Sequence, residues 1–101
     1  MLRFVKKLFG PKVDLGEKMR EGAIIVDVRS PAEFAGGHVK GSKNIPLDTI
    51  ERKIETIKKW NKPVITCCAS GMRSGSAAGI LKRNGVEAYN GGSWQKANRL
   101  V

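Results

Sequence analysis

The chain is predicted to fold as an α/β domain, with a mostly parallel sheet and helices on both faces. Three observations lead there. Two apolar runs, Ala23-Ile24-Ile25-Val26-Asp27 and Pro63-Val64-Ile65-Thr66-Cys67, are continuous rather than alternating, as expected of strands covered on both sides. Between them Ile50, Ile54, Ile57 and Trp60 recur at spacings of four and three, which gives one apolar face of a helix. Glycine and proline punctuate the boundaries, and strands that alternate with helices pair in parallel through crossovers.

The elements follow in order. Asp14 and Glu17 have the spacing of a capping box and open a short helix to about Arg20, which Gly22 stops. Ala23 to Asp27 is the first strand. Pro31 suits the first turn of a brief helix over Ala32 to Ala35, ended by Gly36-Gly37. Lys43 to Ile45 is a short strand closed by Pro46. Asp48 and Glu51 form a second capping box ahead of the Ile50–Trp60 helix, and Pro63 restarts the chain into a strand. Ser74 to Asn84 is helical, with Ala77, Ala78 and Leu81 on one side and Gly85 as its stop. Val86 to Tyr89 is a strand, and Ser93 caps a last short helix through about Arg99. Residues 11–101 make up the domain. Ahead of them Met1 to Gly10 is a basic and apolar extension, in which Leu2, Val5, Leu8 and Phe9 oppose Arg3, Lys6 and Lys7 at helical spacing; it is read as a short helix or arm packed on the domain.

With 101 residues there is room for one modest core. No apolar run is long enough to span a bilayer, and the N-terminus lacks the pattern of a signal peptide, so a cytoplasmic protein with no stable membrane insertion is expected. Cys67 and Cys68 are adjacent, which rules out an ordinary disulfide between them and suits a reducing compartment. One His and two neighbouring Cys do not make a normal zinc set, so no metal and no cofactor are expected. A net charge of +10 favours the capture of small anions. Nucleic acid is disfavoured as a partner, because no base-reading motif accompanies the charge.

Chemistry is concentrated in Cys68-Ala69-Ser70-Gly71-Met72-Arg73-Ser74. A thiol opens this loop of small residues and a guanidinium closes it, between a strand and a helix. There the thiol meets backbone N–H groups without helical partners and the positive end of the helix dipole, both of which favour the nucleophilic thiolate. Gly71 permits a tight loop whose amides converge on an anion. A thiolate already ionised needs no general base at the moment of attack. Cys67, one residue back along the strand, faces the opposite way and is read as structural.

This loop resembles the active-site loop of the rhodanese-like sulfurtransferases. Three further stretches match that family in order: Ile24-Ile25-Val26-Asp27-Val28-Arg29-Ser30-Pro31-Ala32-Glu33-Phe34, Gly37-His38-Val39-Lys40-Gly41-Ser42-Lys43-Asn44-Ile45-Pro46-Leu47, and Tyr89-Asn90-Gly91-Gly92-Ser93-Trp94. The resemblance implies a five-stranded sheet. It also implies transfer of a sulfane sulfur from a donor such as thiosulfate, through a persulfide on Cys68, to cyanide or a thiol. Ala69, Ser70, Gly71, Met72, Arg73 and Ser74 become the substrate-binding loop. Arg73 either binds the sulfonate end of the donor or stiffens the loop, Ser70 and Ser74 are candidate donors to the sulfur or its substrate, and Ser74 has the alternative role of a helix-start residue. Asp27 and Arg29 support the loop from beside it, His38 is a scaffold residue rather than a catalytic partner, and Trp94 packs in the core. Two alternatives stay open: a sulfur-relay or interaction module that hands sulfur to a protein acceptor, and a phosphatase or arsenate reductase of the same superfamily. The relatives that act on phosphate or arsenate carry one more residue in the loop than the four between Cys68 and Arg73.

Overall fold

A computed structural model describes residues 13–101; the Met1–Gly10 extension lies outside the described residues. Helix α1 (Leu15–Arg20) leads into strand β1 (Ile24–Asp27), helix α2 (Pro31–Ala35) and the two-residue strand β2 (Lys43–Asn44). A 3-10 segment (Leu47–Lys53) runs into helix α3 (Ile54–Trp60). Strand β3 (Val64–Cys68), helix α4 (Met72–Arg83), strand β4 (Ala88–Ser93) and helix α5 (Trp94–Ala97) complete the domain, with a closing 3-10 turn at Asn98–Leu100. The sheet order is β2-β1-β3-β4, and every pairing is parallel.

Two apolar layers cover the sheet. On one face Val26, Val28, Val64 and Cys68 pack with Ile50, Ile54 and Ile57 and with Ala77, Ala78 and Leu81 of α4. On the other, Ile25, Ile65 and Cys67 pack with Val39 and Ala97, against Leu15, Met19 and Trp94. Residues i and i+1 of a strand point to opposite faces, so the adjacent cysteines fall in different layers.

Several expectations are corrected in detail. Among the described residues the sheet has four strands, not five; the four segments read from the sequence account for all of them. Helix α4 begins at Met72 rather than Ser74, because Gly71 takes φ 100° and serves as its N-cap. The Asp48/Glu51 capping box does not form: Pro46 leads into a 3-10 turn with no side-chain cap, and α3 starts only at Ile54. A full box does form between Ser30 and Glu33, spanning Pro31 at the first helical position. Strand β4 starts at Ala88, since the Val86 N–H is taken by the Leu81 carbonyl (3.0 Å) at the end of α4.

The strand β4 carries an irregularity that shapes the site. Thr66 pairs with Asn90 but Cys68 pairs with Ser93, so β4 spends one extra residue opposite β3. The extra residue lies in Gly91-Gly92. A Cβ at Gly91 would sit 2.8 Å from Ile65 Cγ2 and 2.9 Å from the Thr66 carbonyl oxygen, which is why only glycine fits there.

Candidate active site

Cys68 is the last residue of β3, at the carboxyl end of the sheet where open α/β folds build their sites. The chain then turns through Ala69 and Ser70, both exposed, and Gly71 into α4. This turn folds back over the sulfur. The Gly71 N–H reaches Cys68 Sγ at 3.0 Å, the Ser74 N–H at 3.4 Å, and Ser74 Oγ lies 3.3 Å away. Burial pushes the Cys68 thiol up, but the Ser74 hydroxyl and the N–H groups of Ser74, Gly71 and Ser70 outweigh it, and the net shift is downward. Cys67 has no such ring. Burial, then the neighbouring Asp27 carboxylate, push its thiol up to about 12.

Ser74 is fully buried. Its hydroxyl donates to Asn90 Oδ1 (2.7 Å), and its carbonyl accepts from Thr66 Oγ1 (2.7 Å). Asn90 in turn donates through Nδ2 to the Gly71 carbonyl (2.9 Å) and accepts from the Gly92 N–H (2.9 Å). Gly71 needs its missing side chain here, since a Cβ would stand 3.3 Å from Gly92 Cα in a backbone already at positive φ.

Arg73 does not point into the ring of amides. Its two outer nitrogens grip the Glu33 carboxylate at 2.8 and 3.0 Å, which joins the loop to α2. Met72 projects into solvent and is 81% exposed. Asp27 and Arg29 form a buried ion pair at 2.7 Å, and Arg29 also donates to the Gly37 carbonyl (2.7 Å). The Arg29 guanidinium lies 5.0 Å from the centre of the Trp94 ring. His38 is exposed, stacks on Phe34 and is bonded at Nδ1 to the Phe34 carbonyl (2.7 Å).

The structure thus gathers Cys68, Ser70, Gly71 and Ser74 at the sulfur and leaves Met72 and Arg73 outside it. Sequence reasoning assigned no role to Thr66, Asn90 or Glu33. Asn90 precedes the Gly-Gly pair and Glu33 stands in the stretch after Asp27, so the signal for both was their place beside the residues of the loop-supporting motifs.

Beside the loop is a cleft of about 610 Å³, bounded by Val28, Pro31, Pro46, Leu47 and Arg73. A cavity of about 240 Å³ near Lys58, Lys62 and Glu87 lies at the other end of the strands and contains no nucleophile. Among the described residues no group of three His, Cys, Asp or Glu is placed to hold a metal, and no helix is long and apolar enough to cross a membrane.

Fold and site together define a class: a parallel α/β domain that ends its central strand in a cysteine held under a short loop of inward-facing amides. The chain belongs to the rhodanese-like domain family, whose pattern it matches over residues 12–97. It is 32% identical over 89 residues to the thiosulfate sulfurtransferase GlpE of Pseudomonas putida, covering 85% of this chain and 80% of that one. It is 44% identical over 78 residues to the uncharacterized protein YqhL of Bacillus subtilis, covering 73% of this chain but only 61% of that longer protein. Among solved structures, a rhodanese-related protein from Thermoplasma volcanium superposes with a TM-score of 0.71 at 27% identity, covering 85% of this chain and 84% of that one. A rhodanese from E. coli, solved with anions, gives 0.67 at 33% identity over 73% of this chain and 89% of that one.

Proposed function

We propose that this domain is a sulfurtransferase that carries a sulfane sulfur on Cys68. The Cys68 thiolate attacks the outer sulfur of a donor such as thiosulfate. A new S–S bond forms, the donor's own S–S bond breaks, and sulfite leaves with the bonding electron pair. A thiophilic acceptor, cyanide or a thiol, then attacks the terminal sulfur and regenerates the Cys68 thiolate. The observation that carries this reading is the pair of N–H donors from Gly71 and Ser74 converging on one sulfur, with the Ser74 hydroxyl beside them. They stabilise negative charge on that sulfur before attack and on the persulfide after it. Free thiols are needed throughout, which fits a reducing, cytoplasmic setting.

Arg73 is assigned a loop-holding role in this cycle, because both of its outer nitrogens are engaged by Glu33. Asp27 and Arg29 support the neighbouring turn through their buried pair. One observation favours a second reading, relay of sulfur to a protein acceptor with little free turnover. The cleft beside the loop, about 610 Å³, is far larger than thiosulfate or cyanide and has room for part of a protein acceptor. In that reading the acceptor approaches over the cleft beside Arg73.

Intact mass after incubation with thiosulfate tests the proposal. The parent and Cys67→Ser gain one sulfur atom, which cyanide removes; Cys68→Ser gains none. A Cys68→Ser protein that still takes up sulfur overturns the assignment. Slow loss to cyanide with fast loss to a protein thiol selects the relay reading.

A further inference from the structure

The Ser74 hydroxyl has one proton and three neighbours that can accept it: Asn90 Oδ1 at 2.7 Å, Cys68 Sγ at 3.3 Å and the Gly92 carbonyl at 3.5 Å. The orientation of the Asn90 amide is set by its other contacts. Nδ2 faces the Gly71 carbonyl and Oδ1 faces the Gly92 N–H, and a flipped amide would set oxygen against oxygen and N–H against N–H. Asn90 Oδ1 therefore competes with Cys68 for the Ser74 proton. While Cys68 is a thiol, its S–H can donate to Ser74 Oγ and Ser74 can donate onward to Asn90. Once Cys68 is a thiolate, the Ser74 proton serves the sulfur only by leaving Asn90.

We propose that Asn90 is a positioning residue for Cys68, acting through the single hydroxyl proton of Ser74 to set how strongly the sulfur's charge is quenched. This rests on Cys68 being the working thiol, as proposed above. The other charged or titratable groups around the sulfur come from different elements. Arg73 of α4 is held by Glu33, Asp27 and Arg29 of the β1 end pair with each other, and Cys67 of β3 faces the opposite layer. The titratable residue of β4, Tyr89, is bonded to Glu87. None of these touches Ser74 Oγ, so its proton is shared between Asn90 and Cys68 alone, apart from the longer Gly92 contact.

The test is a double-mutant cycle read by the pH dependence of Cys68 alkylation, with the alkylated cysteine located by mass fragmentation and folding checked by thermal unfolding. Asn90→Ala releases the Ser74 proton to the thiolate, so the titration midpoint falls by roughly 0.5–1 pH unit, the size expected for one added hydrogen bond. In a Ser74→Ala background the same substitution leaves the midpoint in place. Asn90→Leu, which removes the acceptor while keeping the side-chain volume and adding no charge, lowers the midpoint in the same Ser74-dependent way and serves if Asn90→Ala does not fold. A midpoint that rises in Asn90→Ala, or that moves equally with and without Ser74, overturns the proposal and leaves Asn90 as a brace on the Gly71 carbonyl only. The readout is independent of sulfur transfer: a protein that shows the coupling but never acquires sulfur from thiosulfate refutes the proposed reaction and not this one.

Discussion

Glu33 serves two structures with one carboxylate. One oxygen accepts the Ser30 N–H (3.0 Å) and hydroxyl (3.1 Å), which caps α2, and both oxygens take Arg73 (2.8 and 3.0 Å), which anchors the start of α4. The Arg73 hydrogen bond first, then the Ser30 N–H, hold the Glu33 carboxyl down at about 2, against an ordinary value of 4.5. A carboxylate depressed by folding stabilises the native state fully above its unfolded value, and that contribution is lost as the pH falls through the folded one. Its window here is from about 4.5 down to about 2. Glu33→Gln is therefore less stable than the parent at pH 6, with the gap in urea midpoint narrowing toward pH 2. A gap of constant size would show that the carboxylate's charge contributes nothing. Because this pair is partly solvent-exposed, its effect on stability is small; its larger effect is expected on the loop, as a slower Cys68 alkylation.

At the scale of elements, what could be read from the sequence was what neighbouring residues decide. Continuous apolar runs placed β1 and β3, strand phasing placed Cys67 and Cys68 in opposite layers, and Asp14 and Ser93 were recognisable as caps. The loop at Cys68 was legible because its glycine and its neighbours are consecutive. The tasks of Asn90 and Glu33 were not, since their partners Ser74 and Arg73 lie 16 and 40 residues away and meet them only across the folded sheet. The same holds for the end of β4. Gly-Gly after a strand reads locally as a stop, whereas here it continues the strand through a bulge that lets Asn90 and Gly92 reach the loop. Gly91→Ala tests this. Its Cβ would overlap a backbone carbonyl at 2.9 Å as well as the Ile65 methyl, so the strand itself must shift. The expected cost is about 1–3 kcal/mol in chemical denaturation, together with a changed alkylation rate at Cys68. An unfolding midpoint equal to the parent's would mean that the bulge is not set by close packing.

Over the whole molecule, 19 Lys and Arg face 9 Asp and Glu. Many of the acids are already engaged: Asp27 with Arg29, Glu33 with Arg73, and Glu21 and Glu87 with Lys18. The basic excess is thus left largely uncompensated and acts at a distance. It raises the concentration of small anions near the surface, and would do so for the proposed doubly charged donor without touching the reacting atoms. Such attraction extends over a screening length of about 10 Å at 0.1 M salt and about 3 Å at 1 M. Raising the salt should therefore weaken capture of thiosulfate and leave the chemical step alone, so KM rises several-fold while kcat holds. A kcat that falls in step with the rise in KM would place the salt effect on the loop's own ion pair at Arg73 and Glu33. In that case Glu33→Gln abolishes the salt dependence, whereas under long-range attraction it persists in that variant.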